Sequence, residues 1–253
     1  MLLNHKIFGS GEPLVILHGL FGSLDNWLTH AKKLSEYYQV ILVDQRNHGH
    51  SEWSDNFNYD LLSDDLEELV EHLKLEKIIL LGHSMGGKTA ISFTQKYPEK
   101  ISKLIVVDIG VKEYPMHHDE ILKGLNSIDL ELVNSRSEAT KTLSKFIDSE
   151  GVKQFLLKNL YWIEKGKLAW RINIPILEKN MSNILTELDN TEVFDQTLFI
   201  RGALSNYIID DDIEKLESIF NDFQLVTIEN AGHWVHAEQP ETFIETVLSF
   251  CLR

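Results

Sequence analysis

The sequence lacks several features that would point to a secreted, membrane-spanning or disulfide-bonded protein. Its 253 residues include one cysteine, Cys251, so no disulfide can form within the chain. No apolar run approaches the roughly 18 residues that a membrane span needs, and residues 1–11 show no basic segment followed by a long apolar core. We therefore expect a soluble, cytoplasmic protein with no membrane partner.

Positive charge is also scarce. Lysine and arginine total 24 against 39 aspartate and glutamate residues, which gives a formal net charge of −15 at pH 7. A chain of this charge repels polyanions, so nucleic acid is not an expected partner. With 43% hydrophobic and 25% charged residues the composition is that of a globular protein, and the length suits one α/β domain with an insertion.

Apolar runs and amphipathic helical segments alternate along most of the chain. The runs that are typical of buried strands lie at residues 14–17, 40–44, 78–81, 101–107, 198–201 and 223–228, after a plausible edge strand at 2–8. Parallel neighbours need crossover connections, which the intervening helices would supply. The pattern predicts an α/β fold with a mostly parallel central sheet flanked by helices.

The segment between about residues 110 and 192 departs from this alternation. Its apolar residues recur at helical spacing, and it shows no clear strand run. We interpret residues 110–192 as a helical cap that is inserted into a core formed by residues 1–109 and 193–253. The sequence gives no signal for an oligomeric state.

A buried strand that ends in Gly-x-Ser-x-Gly supplies the candidate nucleophile, Ser84. Gly82 and Gly86 lack the Cβ atoms that would collide in a sharp strand-to-helix turn, so the turn can push Ser84 outward. The carboxyl ends of the strands are where open α/β sheets bind ligands. By itself the five-residue pattern is also compatible with a plain Gly/Ser-rich connection.

A nucleophilic serine needs a base, a group that orients the base, and donors for the oxyanion. His233 follows the last strand at the same edge of the sheet, and the chain order Ser, Asp, His favours it as the base. Asp108 ends the strand after the nucleophile helix, and it can reach the base if the two strands are neighbours. The rival acid is the cluster Asp210–Asp212, whose other role would be to cap a helix.

Four motifs together resemble the α/β-hydrolase superfamily. They are His18–Gly22, Asp44–Ser51, Gly82–Lys88 and Gly232–Trp234. Within the superfamily the chain resembles small bacterial carboxylesterases of the acyl-CoA esterase type, related to mammalian abhydrolase domain-containing protein 11. This implies hydrolysis of a small-molecule ester or thioester without cofactor or metal. Many members carry the acid at the position of Ser205; its absence here agrees with Asp108, the position that this subgroup uses.

The resemblance also implies the remaining site residues. The backbone amides of Leu20 and Met85 would form the oxyanion hole. Phe21, Trp162 and Trp234 are the expected substrate contacts, with Trp162 contributed by the cap, although aromatic residues in amphipathic helices are more often plain core.

A serine carboxylesterase that works through an acyl-enzyme is therefore the expected function. An acyl-CoA thioesterase is an alternative, with Lys165, Lys167 and Arg171 as the candidate basic patch for the anionic CoA. A hydrolase-like ligand receptor with slow turnover, whose cap signals occupancy, is another. Carbon–carbon bond hydrolases and cofactor-free synthases use the same Ser-His-Asp set and also stay open.

Overall fold

A seven-stranded sheet forms the centre of the computed structural model, which describes residues 1–116 and 118–252. The strands of this sheet are β1 (His5–Phe8), β2 (Pro13–Leu17), β3 (Gln39–Val43), β4 (Ile78–His83), β5 (Ile101–Val107), β8 (Thr197–Gly202) and β9 (Phe223–Ile228). Two further strands, β6 (Leu160–Glu164) and β7 (Lys167–Trp170), lie outside it. The main sheet has the order β1-β3-β2-β4-β5-β8-β9. Only the edge pair β1–β3 is antiparallel in this sheet, so the predicted parallel core is confirmed.

Helices cover both faces of the sheet. They are α1 (Leu28–Leu34), α2 (Tyr59–His72), α3 (Met85–Lys96), α4 (Asp119–Asn126), α5 (Arg136–Leu143), α6 (Glu150–Leu157), α7 (Ile174–Lys179), α8 (Met181–Leu185), α9 (Ile213–Ile219), α10 (Val235–Glu238) and α11 (Pro240–Cys251). Helices α2 and α3 share a core with Ile78 and Leu80 of β4, whereas α1 and α11 share one with Ile79 and Leu81. Successive residues of β4 thus face opposite sides, as in any strand buried on both faces. Among the described residues, no helix is both long and apolar enough to cross a bilayer.

The segment between β5 and β8 contains a β-hairpin as well as helices, so the expectation that it lacks strands is wrong. β6 and β7 pair antiparallel and form a sheet of their own. Their two-residue turn is Lys165–Gly166, in which Gly166 has a φ of 85°, a conformation that glycine adopts without steric cost. Tyr161–Ile163 are residue types that favour strands. The limits 110–192 for a cap stay a prediction.

The strand order brings the predicted site residues to one edge of the sheet. β4 lies between β2 and β5, and the backbone N–H of Ser84 donates to the carbonyl of Val107 at 3.0 Å. Ser84 and Asp108 therefore follow neighbouring strands, which is the condition on which the choice of Asp108 depends. The loop with Leu20 follows β2, and the loop with His233 follows β9.

Replacing Gly82 by alanine tests how closely α3 must approach β4. The new Cβ would lie 2.1 Å from the carbonyl oxygen of Gly86 and 2.7 Å from the Cα of Gly87, both of which are backbone atoms. We expect Gly82→Ala to lower the free energy of unfolding by about 3 kcal/mol, measured by urea denaturation.

Gly151→Ala in α6 is the matched control for this substitution. The atom nearest to its added Cβ is Ser149 Oγ at 3.9 Å, an ordinary contact. Its stability should be unchanged or slightly increased, because alanine restricts the unfolded chain. Equal losses in the two variants would contradict the predicted backbone clash.

Candidate active site

Ser84 lies between β4 and α3 in a strained backbone conformation. Its φ is 53° and its ψ is −122°, a region that costs a non-glycine residue about 1–3 kcal/mol. Gly86 permits the close packing of the turn, since a Cβ there would lie 2.5 Å from the carbonyl oxygen of His18. The side chain of Ser84 is partly exposed at the sheet edge, whereas its neighbours in the turn are buried.

The three side chains predicted to form the catalytic group are joined by hydrogen bonds. His233 Nε2 lies 3.1 Å from Ser84 Oγ, and His233 Nδ1 lies 2.8 Å from Asp108 Oδ2. An ionised carboxylate can only accept, so Nδ1 carries the ring proton and Nε2 is the acceptor for the serine hydroxyl. This is the arrangement that activates a serine as a nucleophile.

Asp108 is completely buried, and three donors satisfy its carboxylate. Besides His233, the backbone N–H of Gly202 donates to Oδ1 at 3.1 Å, and Ser205 Oγ donates to Oδ2 at 2.5 Å. A buried carboxylate without such donors would be very costly. Ser205 follows β8, the strand next to β5, so the neighbouring strand helps to hold the Asp108 carboxylate.

Two members of the rival acidic cluster, Asp210 and Asp212, are engaged elsewhere. Asp210 is 82% exposed and lies 2.8 Å from an Arg201 nitrogen. Asp212 forms an ion pair with Lys112 and accepts the backbone N–H of Ile209 at 2.9 Å, as a capping carboxylate does. None of the described contacts joins these carboxylates to His233. The geometry favours Asp108 as the acid.

The backbone amides of Leu20 and Met85 are available as donors beside the nucleophile. Both residues line the space next to Ser84. Met85 begins α3, so its N–H has no acceptor within the helix. Within residues 1–116 and 118–252, neither amide donates to a protein acceptor. This is what an oxyanion hole requires, and that role stays a prediction.

The loop that carries Leu20 is fixed from both sides. The backbone N–H of Phe21 donates to His48 Nε2 at 3.2 Å, while His48 Nδ1 donates to the carbonyl of Arg46 at 2.9 Å. From the segment between β5 and β8, Asn159 donates to the carbonyl of Phe21 at 2.7 Å. The position of the Leu20 amide therefore depends on the buried His48 and on the segment between β5 and β8.

A cavity of about 210 Å³ opens beside Ser84. Its lining includes Phe21 and Trp234, two of the expected substrate contacts. The segment between β5 and β8 contributes His118, Ile121, Val152, Phe155 and Leu156. Trp162 is not part of the lining, so its role as a substrate contact stays a prediction. It belongs to strand β6 of the hairpin, and its side chain is 46% exposed.

Comparison with known proteins agrees with this architecture. The family described as having the alpha/beta hydrolase fold matches residues 12–240. The chain belongs to the α/β-hydrolase family. A Haemophilus influenzae protein described as an esterase/lipase is 39% identical, with 94% of this chain and 82% of the relative covered. Mouse sn-1-specific diacylglycerol lipase ABHD11 is 36% identical, with coverages of 94% and 80%. A solved marine microorganism esterase has a TM-score of 0.96 and 44% identity, and 99% of each chain is covered.

Tyr207 is a site residue of this α/β-hydrolase that carries no recognisable signal in the sequence. Its ring stacks on His233 with the centroids 3.9 Å apart and an interplanar angle of 17°. Burial, with a smaller contribution from the Asp108 carboxylate, raises the pKa of Tyr207 to about 12. The phenol is therefore neutral near pH 7, and its ring restricts the orientation of the imidazole.

Lys88 was also missed, although it lies in the motif that contains the nucleophile. Its side chain is buried, and Nζ donates to the carbonyl of Lys112 at 2.7 Å and to that of Thr186. Burial lowers the pKa of Lys88 to about 7. The nucleophile helix of the hydrolase is thus hydrogen-bonded to both ends of the segment between β5 and β8, which no local sequence pattern could indicate.

Among residues 1–116 and 118–252, five buried histidines lie close to the site or to the loops that support it. They are His18, His30, His48, His83 and His236. Burial lowers the pKa of His18 to about 4 and those of His48 and His83 to about 3, and it also lowers those of His30 and His236. These rings are therefore neutral in the folded protein near pH 7. Despite their number, no three His, Cys, Asp or Glu side chains of the described residues are placed to hold a metal ion.

The buried histidines predict that the hydrolase loses stability in mild acid. Below the ordinary histidine pKa of 6.5 the unfolded chain binds protons that the folded chain does not, so the free energy of unfolding falls as the pH drops from 6.5 towards 4. Each such histidine contributes up to about 1.4 kcal/mol per pH unit. Urea denaturation between pH 8 and pH 5 measures this loss.

His236→Phe tests the contribution of one member of this group. The His236 ring stacks on Trp27 at 4.2 Å and its Nδ1 is buried without a partner, so phenylalanine can keep the stacking and remove the titrating nitrogen. We expect a shallower loss of stability below pH 6.5. His72→Gln, which replaces an exposed histidine, is the control. The same acid dependence in wild type and His236→Phe would contradict the prediction.

Proposed function

We propose that this α/β-hydrolase is a serine carboxylesterase whose nucleophile is Ser84. The observation that carries the proposal is the continuous hydrogen-bonded path from Ser84 Oγ through both ring nitrogens of His233 to Asp108. The reaction class is supported by the relatives described as an esterase/lipase and as a marine esterase, at 39% and 44% identity. The proposal includes the roles of Ser84 as nucleophile, His233 as base and Asp108 as the acid that orients the base, and it includes the acyl-enzyme intermediate.

In the proposed reaction, Ser84 Oγ attacks the acyl carbonyl carbon while His233 Nε2 accepts the hydroxyl proton. Asp108 orients the ring and stabilises the positive charge that develops on it. The negative charge that develops on the carbonyl oxygen is stabilised by the amides of Leu20 and Met85. His233 then gives its proton to the leaving alcohol oxygen, and an acyl-enzyme remains. Water, deprotonated by the same histidine, attacks the acyl carbon, releases the acid and restores Ser84.

The cavity beside Ser84 favours an uncharged ester over an acyl-CoA. Its volume of about 210 Å³ is below the roughly 300–1,000 Å³ of sites for drug-sized ligands. None of the described residues that line it is a lysine or arginine. Of the candidate basic patch, Lys165 and Lys167 are exposed in the hairpin, and Arg171 lies over the Tyr161 ring.

The acyl-enzyme predicts a burst of leaving group when a short-chain aryl ester such as p-nitrophenyl acetate is mixed with the enzyme. Stopped-flow absorbance should show the burst in wild type and in Ser218→Ala, which replaces an exposed serine of α9. Ser84→Ala should show no burst and a turnover that is lower by at least about 10⁴-fold. Unchanged turnover in Ser84→Ala would rule out this nucleophile.

The assignment of the acid is tested by a pair of isosteric substitutions. Asp108→Asn removes the charge that orients His233 and stabilises its protonated form, so kcat should fall by about 10⁴-fold. Asp210→Asn changes a carboxylate that is mostly exposed and pairs with Arg201, so kcat should change little. Steady-state rates and a thermal melt of each variant separate catalysis from folding. The opposite ranking would transfer the role of acid to Asp210.

A further inference from the structure

Lys88 joins the helix that carries Ser84 to both ends of the segment between β5 and β8. Its Nζ donates to the carbonyl of Lys112 at 2.7 Å, near the start of that segment, and to the carbonyl of Thr186, near its end. The helix connects Lys88 to the nucleophile, because the backbone N–H of Lys88 donates to the carbonyl of Ser84 at 3.1 Å. A displacement of either end of the segment would therefore act on the first turn of α3.

The two ends of this segment are also paired with each other. The backbone N–H of Tyr114 donates to the carbonyl of Leu185 at 2.9 Å, and that of Leu188 donates to the carbonyl of Val111 at 2.8 Å. The lysine thus binds two ends that are already closed onto one another. Between them the segment extends to the residues that line the cavity beside the nucleophile.

Tyr114 continues the connection towards the acid and the base. Lys88 Nζ lies 5.0 Å from the centroid of its ring, which is a cation–π distance. Tyr114 Oη accepts the backbone N–H of Gly110, which lies two residues after Asp108. It also donates to the carbonyl of Tyr207, the residue whose ring stacks on the proposed base, and both distances are 2.8 Å. One phenol therefore binds the loop after the acid and the loop that packs against the base.

The burial of Lys88 indicates that its amine is retained for these contacts. The side chain is almost fully buried, and no carboxylate of the described residues forms an ion pair with it. Such a group costs folding free energy that an apolar side chain would avoid. A neutral amine still carries two N–H groups, so both bonds to the carbonyls can form on either side of its pKa of about 7.

We propose that Lys88 and Tyr114 are positioning residues for ester hydrolysis. This Lys88–Tyr114 pair fixes the segment between β5 and β8, the nucleophile turn, and the loops beside the acid and the base relative to one another. Neither side chain has to touch the substrate. The inference rests on the proposed serine esterase function and deepens it by assigning residues that set the geometry of the site.

Two substitutions remove these hydrogen bonds and keep most of the packing. Lys88→Met removes both donors to the carbonyls, and Tyr114→Phe keeps the ring and removes only Oη. We expect each to lower kcat for p-nitrophenyl acetate by about tenfold, because small displacements of reacting groups are costly. Tyr114 does not line the larger cavity. The KM of Tyr114→Phe should therefore stay within about twofold of wild type.

Lys153→Met and Tyr97→Phe are the matched controls. Lys153 is another buried lysine, but its Nζ contacts Ser144 Oγ and Glu150, both of which belong to the segment between β5 and β8. Tyr97 Oη donates to Asp64 at 2.6 Å, at the far end of α3. Both controls should keep the kcat of wild type. Rates on the full-length protein are divided by the burst amplitude, so that only functional active sites are counted.

The double variant that combines Lys88→Met with Tyr114→Phe tests whether the two residues act as one unit. Its kcat should be little lower than that of the slower single variant, because contacts that belong to one unit are not lost twice. Two independent tenfold losses would multiply to about 100-fold. A loss of that size would contradict the pair.

The remaining outcomes separate this inference from the function on which it rests. A wild-type kcat per active site in both single variants, with only a lower melting temperature, would overturn the inference while the enzyme remains a serine esterase. An equal fall in the controls would overturn it as well. If Lys88→Met does not fold, Tyr114→Phe decides the question. No burst in wild type and no acyl adduct on Ser84 by mass spectrometry would contradict the esterase proposal, and this inference with it.

Discussion

The buried carboxylate of Asp108 is the constraint on which the rest of the site depends. A charge with no contact to solvent needs donors, and here they come from Gly202 at the end of β8, Ser205 beyond it, and His233 after β9. These groups can converge because β5, β8 and β9 are consecutive neighbours in the sheet. The strand order thus determines which imidazole the carboxylate orients, and the other nitrogen of that imidazole lies 3.1 Å from Ser84 Oγ.

Strained backbone conformations occur at three positions of the candidate site. Phe21, Ser84 and Asp108 have φ values of 58°, 53° and 50°, and such conformations cost about 1–3 kcal/mol each. They follow β2, β4 and β5, whose fully buried residues hold the ends of the strands in place. The burial of these strands offsets the conformational cost of the three residues. These conformations hold the proposed amide donors, nucleophile and acid in position before a substrate binds.

The sequence predicts the parts of this molecule that local patterns determine. Six of the seven strands of the main sheet are visible as apolar runs and β1 as a plausible edge strand. Gly82 and Gly86 identify the turn at Ser84 because only glycine fits where helix and strand meet. The hairpin β6–β7 was missed since its strands are short and belong to no large sheet. Tyr207 contacts His233, and Lys88 contacts Lys112 and Thr186. These partners are distant in the sequence, so no periodicity or motif indicates the contacts.

Four buried histidines near the site have surroundings that differ from those of His233. His18, His30, His48 and His83 each donate a ring proton to a backbone carbonyl, and burial keeps all four neutral. Each can hold an adjacent loop in place, but none is paired with a carboxylate that would stabilise an added proton. The His233 ring is partly exposed and donates to Asp108. Of these rings, His233 is therefore the one whose added proton a carboxylate would stabilise, which suits it to the proposed role of base.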